Sequence, residues 1–254
     1  MVIAMAGFAV EDAVIKQLSY TMPISQVLIL IGIGGLLMFG LTALKTGVRL
    51  VTNEMVKPWF IIRTISELAS AICFVIAIVY ASLSISSVIL QATPLAVSLA
   101  AALFLKQRVS VRQWLLISIG FVGVLCVIQP GFDGFKPAAL SAVLGVVFLA
   151  LRDAITRSIS VSIPAVSVSF WAFFALLSAG IITIPFFGKF GAITSYDFGL
   201  LAISALAGSG AYFCIVMATR GGDVAVVAPF RYTRLLFALA LAITFFDEQI
   251  NPMM

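Results

Sequence analysis

Histidine does not occur once in the 254 residues. Its absence removes His-based acid–base catalysis, His metal ligands and the side chain that titrates nearest neutral pH, so any proton coupling must use carboxylates. Charge is scarce as well: 10% of the residues are charged, where a soluble domain carries roughly 25%. The cysteines, Cys73, Cys126 and Cys214, all fall within apolar runs, with neither metal spacing nor a paired framework. They read as packing residues. No Gly-rich run leads to Gly-Lys-Ser/Thr, which removes any sign of a P-loop ATP-driven pump. Without histidine no serine or cysteine can form a Ser–His type dyad, so a hydrolase of that class is excluded. No cofactor and no metal is expected.

What the chain does have is apolar sequence. It is 63% hydrophobic, in long runs, which reads as a polytopic membrane protein. Nine spans are expected, at roughly 1–20, 25–46, 59–81, 84–105, 112–130, 138–159, 164–187, 197–218 and 224–246. Each is near the ~20 residues a helix needs to cross the hydrocarbon core. Pro23, Pro58, Pro130-Gly131, Pro137, Pro164 and Gly221-Gly222 mark the joins. The first ten residues are apolar, but no basic region precedes them and Glu11-Asp12 follows. They read as the first membrane helix rather than a cleaved signal. The net charge of +5 comes from basic residues in short loops and at helix ends, which argues for membrane topology and against a nucleic-acid partner. With the N-terminus cytoplasmic, Lys45, Arg49, Lys57, Lys106, Arg108, Arg112, Arg157 and Arg220 lie inside, against Lys16, Lys136 and Lys189 outside. That bias sets the expected orientation in a cytoplasmic (inner) membrane.

The chain also repeats itself at an offset of 141 residues. Asp12-Ala13, Lys16, Leu18-Ser19 and Pro23 recur as Asp153-Ala154, Arg157, Ile159-Ser160 and Pro164; Cys73 falls on Cys214, Gly47 on Gly188 and Gln107 on Glu248. Five spans per copy is an odd number, so the copies must sit upside down relative to each other. The expected fold is all-α, with two inverted five-helix repeats at 1–131 and 138–254, the build of a secondary transporter. A tenth helix would fall at 253–271, past Met254, so the expectation is a truncated sequence rather than a nine-helix variant.

Charges retained within spans should face the bundle interior or water, because one at the bilayer centre costs about 2.5–3.5 kcal/mol on insertion scales. Glu11 and Asp12 in the first helix correspond to Arg152 and Asp153 in the sixth. Glu11 and Arg152 are candidates to pair across the pseudo-two-fold; a substrate or proton role is the alternative for all four. Arg63 and Glu67 share a helix face. Arg63 can snorkel to the interface, while Glu67, a turn deeper, is a cavity candidate. Gln91 precedes a mid-span proline in Gln91-Ala92-Thr93-Pro94, so it reads either as a ligand or as part of a packing kink. The ninth helix carries Pro229-Phe230-Arg231-Tyr232-Thr233-Arg234. Arg231 and Arg234 share a face, and their partners would be Asp153, Asp12, Glu67 or an anionic substrate. Tyr232 points off that face and is kept as a further binding candidate.

Several stretches resemble the EamA-type permeases of the drug/metabolite transporter superfamily. They are Arg63-x-x-x-Glu67, Ser86 to Pro94 with Leu103-Phe104-Leu105-Lys106, Gly120 to Leu125 with Pro130-Gly131, and Arg220-Gly221-Gly222-Asp223 through Glu248. The resemblance runs over essentially the whole chain and departs at Gln107, where family members commonly have Glu. It implies two five-helix inverted repeats and transport of amino acids, vitamins, nucleotide-like metabolites or drugs in either direction. The resulting expectation is a secondary permease for a small polar organic metabolite bearing an anionic group, held by Arg231 or Arg234. Asp12, Glu67 or Asp153 would carry a coupling proton, and a homodimer is left open. The alternatives are a drug/metabolite exporter of broad specificity and a non-transporting membrane scaffold.

Overall fold

In the computed structural model, residues 1–104, 137–157, 163–187, 190–221 and 228–246 are described, with a few positions between 111 and 123. The helices are α1 (Val2–Leu18), α2 (Ile24–Thr46), α3 (Pro58–Tyr80), α4 (Leu83–Leu90), α5 (Thr93–Phe104), α6 (Ala139–Arg157), α7 (Ala165–Phe187), α8 (Ser195–Gly221) and α9 (Thr233–Phe246). Among the described residues, five helices are long and apolar enough to cross a membrane: Ile24–Thr46, Pro58–Tyr80, Ala139–Thr156, Ala165–Phe187 and Ser195–Ala218. The expected span at 112–130 lies largely outside the described residues, and so do Gln107 and everything from Asp247 onward.

The sequence punctuation accounts for the ends. Gly47 takes φ 69 at the end of α2, and the carbonyl of Ala43 accepts from the N–H groups of both Gly47 and Val48. This left-handed stop suits glycine. Pro58 opens α3, where its missing N–H costs nothing. Thr194 and Asp197 cap α8 reciprocally: the Asp197 N–H donates to the Thr194 hydroxyl at 3.2 Å, and the Thr194 N–H donates to the Asp197 carboxylate at 3.0 Å. The hydroxyl of Thr21 also donates to Asp197, at 3.0 Å, which ties this cap to the turn after α1.

Three expected spans come out differently. α1 has 17 residues, about 26 Å at helical rise, and holds Glu11, Asp12 and Lys16 buried. The expected helix at 84–105 is broken into α4 and α5 at Gln91-Ala92. Pro94 cannot donate to the carbonyl of Leu90, four residues back; the Thr93 hydroxyl donates to it instead, at 2.5 Å. The expected helix at 224–246 begins as a 3-10 turn, Ala228–Tyr232, and becomes α9 only from Thr233.

Small residues set how closely the helices approach. α2 packs on α7, α3 on α6, and α1 on α8, with α9 against α1 and α4. A Cβ on Gly32 would come within 2.7 Å of the Leu177 backbone nitrogen, and one on Gly180 within 2.8 Å of the Ile29 nitrogen. Gly35 meets the Phe173 ring and Gly40 lies near Phe170, so partner positions fall along α7 as they rise along α2: the two helices are antiparallel. Gly7 on Ala211, Glu11 on Gly208 and Thr21 on Asp197 make α1 and α8 antiparallel. Arg63 on Thr156, Glu67 on Arg152 and Ser70 on Gly145 do the same for α3 and α6.

Candidate functional site

Between these helix pairs lies a cavity of about 180 Å³. Its walls are mostly apolar, with Phe8, Phe74, Leu149 and Leu176 among them, and its polar groups come from α1, α3, the α4–α5 break, α6, α8 and the start of α9. That composition suits a small organic ligand held by a few placed polar groups.

The charged side chains form two groups. In the first, Glu67 accepts from Arg63 at 3.1 Å, from Arg152 at 2.7 Å and from the Tyr212 hydroxyl at 2.7 Å. Arg63 is 1% exposed and also donates to the hydroxyls of Tyr212 at 2.6 Å and Thr156 at 3.2 Å. Arg152 reaches Asp153 at 2.8 Å, and the other oxygen of Asp153 accepts from Arg231 at 2.7 Å. In the second group, Arg234 donates to a single oxygen of Asp12 from Nη2 at 2.6 Å and from Nε at 3.2 Å. The Arg234 guanidinium stands over the rings of Phe8 and Phe74, 5.1 Å and 5.4 Å from their centroids. The aromatic faces add an attraction that needs no hydrogen bond.

Among the described residues, three buried donors in and beside this network have no hydrogen-bond partner: Nη1 of Arg63, Nε of Arg152 and Nε2 of Gln91. Glu11 is the matching acceptor. It is 9% exposed, lines the cavity, and among the described residues has no hydrogen bond or ion pair; its carboxylate lies against Gly208, where a Cβ would overlap it.

Of the candidates named from sequence, Arg231, Arg234, Glu67, Gln91, Asp12, Glu11 and Arg152 line the cavity, and Asp153 joins Arg152 to Arg231. Three expectations are corrected. Glu11 does not pair with Arg152: α1 packs on α8 and α9, α6 on α3 and α5, so each meets the neighbour its own helix offers. Tyr232 is 45% exposed and absent from the cavity wall, because one residue on from Arg231 the 3-10 turn rotates the side chain by about 120°. Arg63 does not snorkel but is fully buried in the network. Tyr212 was missed altogether. The repeat offers no hint of it, since 141 residues earlier stands Ala71; the usable signal is a tyrosine inside an apolar helix, whose hydroxyl must find a partner.

A family model described as "EamA-like transporter family" matches residues 1–129. The chain belongs to the EamA-like transporter family. It is a multi-pass membrane protein of a family of transporters, not of enzymes. It is similar to the S-adenosylmethionine uptake transporter of Rickettsia bellii, 27% identical over 169 residues, 66% of this chain and 57% of that protein. It is similar also to the pseudopaline exporter of Pseudomonas aeruginosa, 25% identical over 251 residues, 97% of this chain and 86% of the exporter. A third relative is the riboflavin transporter of Rhizobium johnstonii, 26% identical over 144 residues, 56% of this chain and 47% of that protein. The matched stretch thus spans 57% of the length of the first of these relatives.

Proposed function

We propose that this EamA-family protein is a secondary transporter that moves a small polar organic metabolite bearing an anionic group by alternating access. The observation that carries the reading is the convergence of buried charges from both ends of the chain on one cavity: Glu11, Asp12 and Glu67 from the first half, Arg152, Arg231 and Arg234 from the second. Retained charge within membrane helices marks substrate and ion paths. The relatives that carry metabolites in either direction support the class of cargo without naming it.

Two halves, 1–131 and 138–254, inverted relative to each other, would supply the motion. The antiparallel course of α2 and α7, which correspond under the 141-residue offset, supports this. So does the contact of Glu11 with Gly208, whose image under the same offset is the contact of Arg152 with Glu67. The helix starts behave alike. Gln26, at the start of α2, exchanges two hydrogen bonds with Gly191, at 3.0 Å and 2.8 Å. At the start of α7, Ser167 and Trp171 donate to the carbonyls of Arg49 and Leu50, each at 3.0 Å.

Arg231 and Arg234 each hold a carboxylate in this state, so a substrate anion gains an arginine only when that carboxylate lets go. Asp12 or Asp153 does so by taking up a proton or by moving with its helix, and Glu67 is the third candidate for the coupling proton. The N-terminus is cytoplasmic and the membrane is the inner membrane in this reading, and dimerisation is not required.

The test is flux. Liposomes holding the purified protein are loaded with a polar metabolite extract, and the lumen is followed by mass spectrometry. Selective, protein-dependent loss of one or a few metabolites is expected, abolished by Arg231→Lys or Arg234→Lys at the contacting position, because lysine reproduces a bidentate donor poorly. No protein-dependent loss of any polar metabolite would refute the proposal.

A further inference from the structure

Glu67, Arg152 and Tyr212 line the cavity, but Arg63, which bonds to Glu67 and Tyr212, does not. Arg63 stands behind them, one turn nearer the start of α3 than Glu67. There its guanidinium donates to the hydroxyls of Tyr212 and Thr156, at 2.6 Å and 3.2 Å, and to Glu67 at 3.1 Å. Tyr212 donates in turn to Glu67, at 2.7 Å. Arg63, Glu67, Arg152 and Thr156 stand on α3 and α6, whereas Tyr212 stands on α8, which packs on α1, α2 and α7. The Tyr212 ring is seated edge-on against Phe8 of α1 and Phe173 of α7, with centroids 6.4 Å and 6.1 Å away. Its hydroxyl thus ties the α1–α8 pair to the α3–α6 pair. The image of this group under the 141-residue offset holds no such tie. Arg63 falls on Ser204, Glu67 on Gly208, Thr156 on Ile15, Arg152 on Glu11 and Tyr212 on Ala71. Among the described residues, none of these image side chains is hydrogen-bonded to another, and the hydroxyl of Ser204 has no partner. Arg63 lies near the start of α3 and Thr156 near the end of α6; Ser204 and Ile15 lie toward the start of α8 and the end of α1. The two groups therefore stand at opposite ends of the cavity.

We infer that Arg63 and Tyr212 are the gate at the end of the cavity where α3 begins, and that the protein rests with that end shut and the opposite end accessible. Opening the gated end draws α8 away from α3 and α6, which breaks the bonds of the Tyr212 hydroxyl to Glu67 and Arg63. Both bonds have a charged partner, and such bonds are roughly twice as strong as neutral ones. Ser204, Gly208 and Ala71 offer nothing equivalent to hold the opposite end closed. The role is one of gating, and Arg63 touches no substrate in it. This inference rests on the transport reading and adds which end of the cavity is held closed and by which side chains. In the orientation proposed above, the gated end is the cytoplasmic one.

The test reads access to the cavity from each end separately. A single cysteine replaces Ala71, half-buried on the cavity wall, in a background without native cysteines. A membrane-impermeant maleimide is applied to right-side-out and to inside-out vesicles. With the gate intact, the reporter should label about tenfold faster, or more, from the end opposite the start of α3. Tyr212→Phe keeps the ring and its contacts with Phe8 and Phe173 and removes only the hydroxyl. It should raise the labelling rate from the gated end by about tenfold relative to the rate from the other end. A tyrosine that only supports the fold would lower stability and leave that ratio unchanged. Equal labelling from both ends with the gate intact, faster labelling from the gated end, labelling from neither, or a ratio unmoved by Tyr212→Phe overturns the inference. The comparison with the gate intact decides even where Tyr212→Phe does not fold. Labelling needs no substrate, so its failure removes the gate and leaves transport standing, whereas the absence of all flux removes transport and leaves the labelling result.

Discussion

Among the described residues, Asp12 and Arg234 form an ion pair that stands apart from the larger charge network, and neutralising one partner should expose its worth. The two side chains are 222 positions apart in sequence, share bonds of 2.6 Å and 3.2 Å, and are both largely buried. Asp12→Asn keeps the volume but leaves the Arg234 guanidinium without its counter-charge. Removing one partner of a buried pair costs about 3–5 kcal/mol, a large part of the roughly 5–15 kcal/mol that holds a typical domain together. At about 2–4 °C per kcal/mol for a chain of this size, the melting temperature should fall by about 6–20 °C. Arg234→Gln should cost at least as much, because it also removes the contacts with Phe8 and Phe74. The double variant removes both charges of the pair together, so its loss should be smaller than the sum of the single losses by about 1–3 kcal/mol. Arg231→Gln is the control. Asp153 keeps its 2.8 Å bond to Arg152, so the drop should be smaller than for Arg234→Gln. Unfolding of the purified variants in detergent, followed by intrinsic fluorescence, gives all four values. Single losses that simply add, or an Asp12→Asn variant as stable as the unaltered protein, would refute the pairing.

Gly208→Ala should destabilise the protein by about 1–3 kcal/mol, since its methyl group would meet the Glu11 carboxylate; Glu11→Ala should restore much of that loss, and thermal unfolding of the single and double variants checks it. Thr93→Val should cost about 1–3 kcal/mol by leaving the Leu90 carbonyl unsatisfied, whereas adding Pro94→Ala supplies a backbone N–H and should recover stability; a double variant no better than the single would show that the break has another cause. Cysteines placed one at a time at Val51 and Ile193, both exposed, in a background without native cysteines should label from opposite sides of the membrane. Labelling from the same side would remove the inverted arrangement.

Much of this protein is legible in one dimension. The proline and glycine stops are set by neighbours within a few residues, and the 141-residue offset needs no coordinates at all; at Pro94 the sequence reads as a kink in one span, where the structure has two helices. Hydropathy also singled out most of the site, because a charge inside an apolar helix is costly wherever it sits and stands out against its surroundings. Pairing is different. From sequence, Arg231 and Arg234 had three eligible carboxylates, and Glu11 was matched with Arg152 by symmetry alone. Which helices become neighbours decided that Arg234 takes Asp12, Arg231 shares Asp153, and Arg152 turns to Glu67. The same packing set Glu11 against a glycine and brought in Tyr212, a residue without charge and without a counterpart in the repeat. The cost of burying a charge is a property of its own helix, so sequence reports it. The group that relieves the cost stands on another helix, and only the tertiary contact names it.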